Sequence, residues 1–300
     1  MASIEKALLS LEGLATGDAF GAALGEGSTS SAASLWISSR QLPPGLWQWT
    51  DDTHMALSIV EILSEFETIE QDVLAKCFTD KFMEEPDRGY GSGAARLLTK
   101  ISAGGDWRDL SPQLFDGGSY GNGAAMRAAP IGGYLQGQTE RAAAEAQKSA
   151  VITHAHLEGQ AGAIAVAVAA AIVADPSFRN KDAFLSEVAQ YIPDGETRNG
   201  IQLAKRIPED DFEMAVERLG TGWQVSAQDT VPFCLWCVAH NFDDFGAALW
   251  TTAAGAGDRD TTCAIIGGIM ALSVGEVPHE WVTKREPLPS DFALNRQMRK

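Results

Sequence analysis

The chain has 300 residues, 45% of them hydrophobic and 21% charged, with 40 acidic side chains against 23 basic ones and a net charge of −17. Such a composition fills a globular core, and its acidity, with no run of Lys or Arg to override it, argues against nucleic acid as a partner. The longest uncharged apolar stretch, residues 159–174, falls short of the roughly 20 residues of a membrane span, and four cysteines in a chain of this length do not make a disulfide framework.

The first residues lack a basic segment followed by an apolar one, so the chain is read as cytoplasmic. Ile4, Leu8, Leu11 and Ala15 recur at helical spacing. Residues 28–34 read as a polar loop and Pro43-Pro44-Gly45 as a turn. Trp49-Thr50-Asp51-Asp52-Thr53-His54 then opens an amphipathic helix carried by Ala56, Ile59, Val60, Leu63 and Phe66. Two glycine-rich loops follow, Pro86-Asp87-Arg88-Gly89-Tyr90-Gly91-Ser92-Gly93 and Asp116-Gly117-Gly118-Ser119-Tyr120-Gly121-Asn122-Gly123. Thr153-His154-Ala155-His156 precedes a helix over residues 156–173, whose length and Ala content outweigh a local Ala/Val alternation.

Cys234-Leu235-Trp236-Cys237 has CxxC spacing, but it lies in an apolar run with no second CxxC and is read as core rather than as a redox or zinc motif. Gly255-Ala256-Gly257-Asp258-Arg259-Asp260-Thr261-Thr262 opens the last long apolar run, which contains Gly267-Gly268. Glycine inside a helix costs about 1 kcal/mol relative to Ala and is tolerated where another helix or a ligand must approach closely. A length prior suggests about two domains. With no linker, repeat, hairpin signal or strand–helix alternation, residues 1–300 are instead read as one all-α domain with small-residue helix contacts.

The chemistry concentrates at the two acidic helix starts. Each alone also reads as a helix cap, because Thr and Asp favour the N-cap and carboxylates suit the first turn. A cap needs one such residue, however, and adjacent carboxylates repel each other. Two Thr-flanked acidic pairs offer hard oxygen ligands for divalent ions, and four carboxylates balance two dications. The glycine loops read either as tight turns or as backbone cradles for phosphate. In the second reading Tyr90 or Tyr120 stacks on a ring and Asn122 bonds a ribose or base. His154 reads equally as a packed histidine or as a ligand contact.

Five segments resemble the ADP-ribosylglycohydrolases: Gly13-Leu14-Ala15-Thr16-Gly17-Asp18-Ala19-Phe20-Gly21, Trp49-Thr50-Asp51-Asp52-Thr53, Arg88-Gly89-Tyr90-Gly91, Gly118 through Arg127, and Gly257-Asp258-Arg259-Asp260-Thr261. Thr153-His154 resembles a sixth. The resemblance implies a single compact orthogonal helical bundle with two divalent ions, Mg²⁺ or Mn²⁺, held by Thr50, Asp51, Asp52, Asp258, Asp260 and Thr261. It implies that Arg88, Gly89, Tyr90, Gly91, Ser119, Tyr120, Gly121, Asn122, Gly123 and His154 hold ADP-ribose or an ADP-ribosylated substrate. The implied reaction is hydrolysis of the N- or O-glycosidic bond between the distal ribose and an acceptor, such as an arginine side chain or a small conjugate. A non-catalytic ADP-ribose-binding protein of the same fold is the alternative.

Asp52, Asp260 and Glu26 are the candidate catalytic groups: the aspartates to take a proton from water, and Glu26 as the acid following the Gly-Asp-Ala-x-Gly segment. Three positions depart from the family pattern. Glu26 stands one residue late, with Gly25 in the usual place; Arg259 replaces a small residue, where a cation would repel metal or turn outward to bind phosphate; and Ala256 replaces a glycine.

Overall fold

The computed structural model describes residues 2–25, 31–290 and 292. Among these the chain is all-α: helices joined by short loops, no strand, and two isolated backbone bridges, Trp47 with Arg285 and Gly121 with Ser226. No helix among the described residues is long and apolar enough to cross a membrane.

Two helices at opposite ends of the sequence form the centre. Ile4–Leu24 starts at Ser3, whose hydroxyl accepts from the Lys6 amide at 3.3 Å, and Arg259–Val274 ends at Gly275 in the left-handed region (φ 93°). Both are buried on nearly every side, so neither shows the one-sided pattern of a surface helix. They run antiparallel in backbone contact. A Cβ on Gly13 would lie 2.2 Å from the Gly267 carbonyl oxygen, one on Gly17 2.0 Å from that of Cys263, and one on Gly21 2.2 Å from that of Arg259. Glycines every fourth residue thus let the i±4 ridge of one helix seat on the other. This contact sets the acid Asp18, near the end of the first helix, beside Asp260, near the start of the other.

The Asp51–Phe66 helix packs Ala56, Ile59, Val60 and Leu63 inward as their spacing predicts, while Phe66 at its end is 37% exposed. The Ala-rich segment is a buried helix, Leu157–Ile172, capped by His156, whose Nδ1 accepts from the Glu158 amide at 3.1 Å. The Val231–Ala239 helix is buried throughout, and Cys234 and Cys237 are free thiols packed in the core. Burial pushes the Cys237 thiol up to about 12 and Cys234 well above its ordinary value, so neither ionises near neutrality.

The polar loop expected over residues 28–34 is corrected in part. Ser31–Ser39 is a helix, because Ala32 and Ala33 favour it and Ala33 finds a buried seat in the core.

Candidate active site

The floor of the site is acidic and mostly buried. Asp18 accepts from both Thr50 and Thr53: from the Thr50 amide at 2.9 Å, the Thr50 hydroxyl at 2.9 Å, the Thr53 amide at 3.1 Å, and the Thr53 hydroxyl. Four donors on one buried carboxylate pin the start of the Asp51–Phe66 helix to the central pair. Thr50 caps that helix by accepting from the Asp52 amide at 3.4 Å. Asp51 and Asp52 are therefore not needed as caps, and Asp258, at the N-cap of the other helix, makes no side-chain cap bond either.

Burial, reinforced by neighbouring negative charge, pushes Asp18 up to about 7 and Asp51 to about 8. The same causes lift Asp52 well above the carboxylate range. Asp260 rises to about 8 through burial and then its contact with the Asp258 carboxyl. Burial and mutual crowding make these acids costly to ionise together, a cost that added positive charge would relieve.

The Asp18–Thr50–Asp52 contacts need a second hydrogen, which the raised Asp52 carboxyl can supply. The Thr50 hydroxyl stands 2.9 Å from Asp18 Oδ1 and 3.0 Å from Asp52 Oδ2 but has a single hydrogen to give. Asp52 Oδ1 is buried and accepts no hydrogen bond. Among the described residues no three of His, Cys, Asp and Glu converge closely enough, as placed, to cage a cation. The fit therefore rests on donor chemistry: carboxylate and threonine oxygens with an orphaned carboxylate oxygen among them suit a hard divalent ion such as Mg²⁺ or Mn²⁺.

Above this floor lies a cleft of about 760 Å³. It brings together Asp51, Asp52, Asp258, Asp260 and Thr261 with Gly89, Gly91, Ser119, Tyr120, Gly121, Asn122, Gly123 and His154, as the motifs led one to expect. Thr50 stands just behind, bonded to Asp52. Glu26 lies outside the described residues.

Of the residues expected to hold ligand, Arg88 and Tyr90 are not part of the cleft lining. Arg88 donates to Glu85 at 2.6 Å, to both carboxylate oxygens of Glu286 at 2.7 and 3.0 Å, and to the Trp49 carbonyl at 3.2 Å, with its guanidinium 3.6 Å over the Trp49 ring. Its donors are committed to bracing the Trp49–Thr50 segment. Glu286 is delivered there by its own amide, which donates to the Trp47 carbonyl at 2.7 Å. The Tyr90 hydroxyl bonds His54 Nδ1 at 3.0 Å and its ring packs on Phe82. Between them, Gly89 (φ 96°) lays the backbone against Asp51.

Asn122 has internal partners as well. It lines the cleft, and its amide donates to Asp258 Oδ2 at 2.7 Å and Thr230 Oγ1 at 3.1 Å, so it orients an acid of the floor. Arg259 is not part of the cleft lining. Nε donates to the Ala253 carbonyl and Nη1 to the Gly25 carbonyl, each at 3.0 Å, at the C-terminal ends of two helices where a cation is favoured.

His154 is 7% exposed, and its Nδ1 lies 2.7 Å from the Thr153 hydroxyl. Burial and the Arg127 charge push it down to about 3, so it is neutral.

Sequence reading missed Asp18, Arg127 and the rim residues Phe115, Trp223 and Val225. Asp18, a lone charge in an apolar helical stretch, and Arg127, a lone charge in the apolar segment after the glycine loop, were legible. The rim was not, because it is built from strain: Phe115 (φ 56°), Asp116 (φ 55°) and Val225 (φ 51°) occupy the left-handed region, which a β-branched residue rarely enters.

The ADP-ribosylglycohydrolase family model matches residues 1–298. An uncharacterized protein of Archaeoglobus fulgidus is 29% identical over 279 residues, covering 90% of this chain and 88% of that one. The ADP-ribosylhydrolase ARH3 of Homo sapiens is 29% identical over 272 residues, covering 78% and 73%. A solved structure of an ADP-ribosylglycohydrolase-related protein complex shares the fold, with a TM-score of 0.68 at 24% identity over 94% of this chain and 93% of that one. With acidic helix starts, glycine-walled cleft and family match spanning the same residues, this chain belongs to the ADP-ribosylglycohydrolase family.

Proposed function

We propose that the chain, working as one unit, is a metal-dependent hydrolase that cleaves the bond between the distal ribose of ADP-ribose and an acceptor, either a protein side chain such as arginine or a small conjugate. The observation that carries this is the orphaned, buried Asp52 Oδ1 in an acidic floor that opens directly into a glycine-walled cleft.

Thr50, Asp51, Asp52, Asp258, Asp260 and Thr261 would hold two Mg²⁺ or Mn²⁺ ions. Bound there, the ions supply Lewis acidity that orients ribose hydroxyls and acidifies water. The protein does the rest. Asp18 holds Thr50 and Thr53 in place, and Asn122 fixes Asp258. Asp52 or Asp260 accepts the proton of the attacking water as its oxygen approaches the anomeric carbon. The surrounding carboxylates favour the positive charge that builds on the ribose as the bond to the acceptor lengthens. Gly89, Gly91, Gly121 and Gly123 leave backbone free to approach the diphosphate, and Tyr120, half exposed at the rim, offers its ring to the nucleobase.

The test is incubation with ADP-ribosylated arginine and serine substrates with and without Mg²⁺ or Mn²⁺. Metal-dependent release of ADP-ribose is expected. Absence of release from every acceptor rejects the proposal, and tight ADP-ribose binding without turnover would identify a binding protein instead.

A further inference from the structure

Arg127 is a fully buried cation whose hydrogen bonds run to neutral acceptors: the Gly123 carbonyl at 2.9 Å, the Ser149 carbonyl at 3.1 Å, the Thr153 hydroxyl at 2.9 Å and the Met55 sulfur at 3.6 Å. Its guanidinium also lies 4.6 Å from the centre of the Phe78 ring. A guanidinium can only donate, so Thr153 Oγ1 accepts from Nη2. That leaves the Thr153 hydroxyl proton, and the other group bonded to this buried oxygen is His154 Nδ1 at 2.7 Å. Were Nδ1 protonated, two donors would face one oxygen and the hydroxyl proton would lose its acceptor, a costly loss in a buried site. The hydroxyl therefore donates to Nδ1, and the imidazole proton sits on Nε2.

A second, independent feature lies at Nε2 itself. A Cβ on Gly121 would stand 3.3 Å from it, and one on Gly123 3.2 Å. Neither glycine has a positive φ, so backbone conformation does not call for glycine at these positions. What it secures is clearance around Nε2 within the cleft.

We propose that Arg127 and Thr153 are positioning residues that lock His154 as a neutral imidazole with Nε2–H directed into the cleft, where it donates to a diphosphate oxygen of ADP-ribose. The identity of that acceptor rests on the function proposed above; the tautomer does not. The chain Arg127 to Thr153 to His154 runs from a cation through a hydroxyl, so each bond polarises the next. The nearby guanidinium also opposes imidazolium formation, in line with the low basicity of His154. The anion thus meets a fixed N–H whose direction is set before it arrives.

Nitrogen-15 NMR of the histidine-labelled, ligand-free protein at neutral pH tests this, with His154 assigned by the signals missing in His154→Gln. A single neutral Nε2–H form is expected. In Thr153→Val the donor to Nδ1 is gone, so tautomer averaging is expected, together with ADP-ribose affinity about tenfold weaker by calorimetry. Thr153→Ser should restore both. An Nδ1–H form or an imidazolium in the wild-type protein overturns the proposal, as does a Thr153→Val protein that keeps the wild-type tautomer. If ADP-ribose fails to bind the wild-type protein, the proposed function falls, while the ligand-free spectrum still decides the tautomer.

Discussion

Gly17 and Cys263 meet backbone to backbone, so closely that a Cβ on Gly17 would lie 2.0 Å from the Cys263 carbonyl oxygen. The contact lies one residue from Asp18 and three from Asp260, so the spacing of the two central helices also sets the spacing of the acidic floor. Gly17→Ala, despite its better helix propensity, is expected to destabilise the protein by about 1–3 kcal/mol through overpacking. It should also weaken divalent-ion binding by moving Asp18 away from its partner. Chemical denaturation and ion titration check the two effects, and an unchanged midpoint would contradict the tight contact.

Removing one acid from the floor should separate stability from function. In Asp52→Asn a buried carboxylate crowded by Asp18, Asp260, Asp51 and Asp258 is replaced by a neutral amide. Without divalent ions the variant is expected to melt higher than the wild type, because the repulsion and desolvation that lift the Asp52 pKa disappear. With Mg²⁺ or Mn²⁺ the order should reverse. A ligand at a hundred times its Kd stabilises the native state by about 2.7 kcal/mol, and the variant forgoes that gain. Melting curves with EDTA and with each ion decide the matter.

Arg88 separates the structural reading from the motif reading. If it braces the Trp49–Thr50 segment through Glu286 and the Trp49 ring, Arg88→Lys loses a bidentate pair and a stacked contact. The expected result is a loss of about 1–2 kcal/mol in stability, with ADP-ribose affinity falling only as the segment loosens. A phosphate ligand would behave in the opposite way, with weaker binding at unchanged stability. Calorimetry and thermal melting on the same preparation separate the two.

The contrast between Arg88 and Asp51 marks how far the sequence could be read. Helical periodicity and the Thr-flanked acids were local signals, and the residues carrying them do form buried helices and a shared floor. The use of a side chain was legible only where its partner lay nearby in the chain. Arg88 finds Glu286 198 positions later and Asn122 finds Asp258 136 positions later, so both looked free to bind a ligand. Arg259 misled for the same reason: its carbonyl partner at Gly25 lies 234 positions away, beside it only because the Gly17–Cys263 contact draws the two helices together. The small-residue stripe was itself visible, but which acids it would align depended on the register, which glycine spacing alone does not set.

His154 gives the pH prediction. In the folded protein it holds its proton only below about 3, against 6.5 for the free side chain. Above pH 6.5 it is neutral in both folded and unfolded chains and adds no pH dependence. As the pH falls below that value the unfolded chain takes up a proton that the folded one refuses. Stability therefore drops by up to about 1.4 kcal/mol per pH unit from this group alone until the folded pKa is reached. Denaturation of the wild type and of His154→Gln at pH 7 and pH 5 isolates the contribution. The wild type should lose more stability between the two pH values than the variant does, because glutamine has no proton to gain. Equal losses would mean that His154 is protonated in the fold, and the Arg127–Thr153 bond would then have to be arranged differently from the geometry seen here.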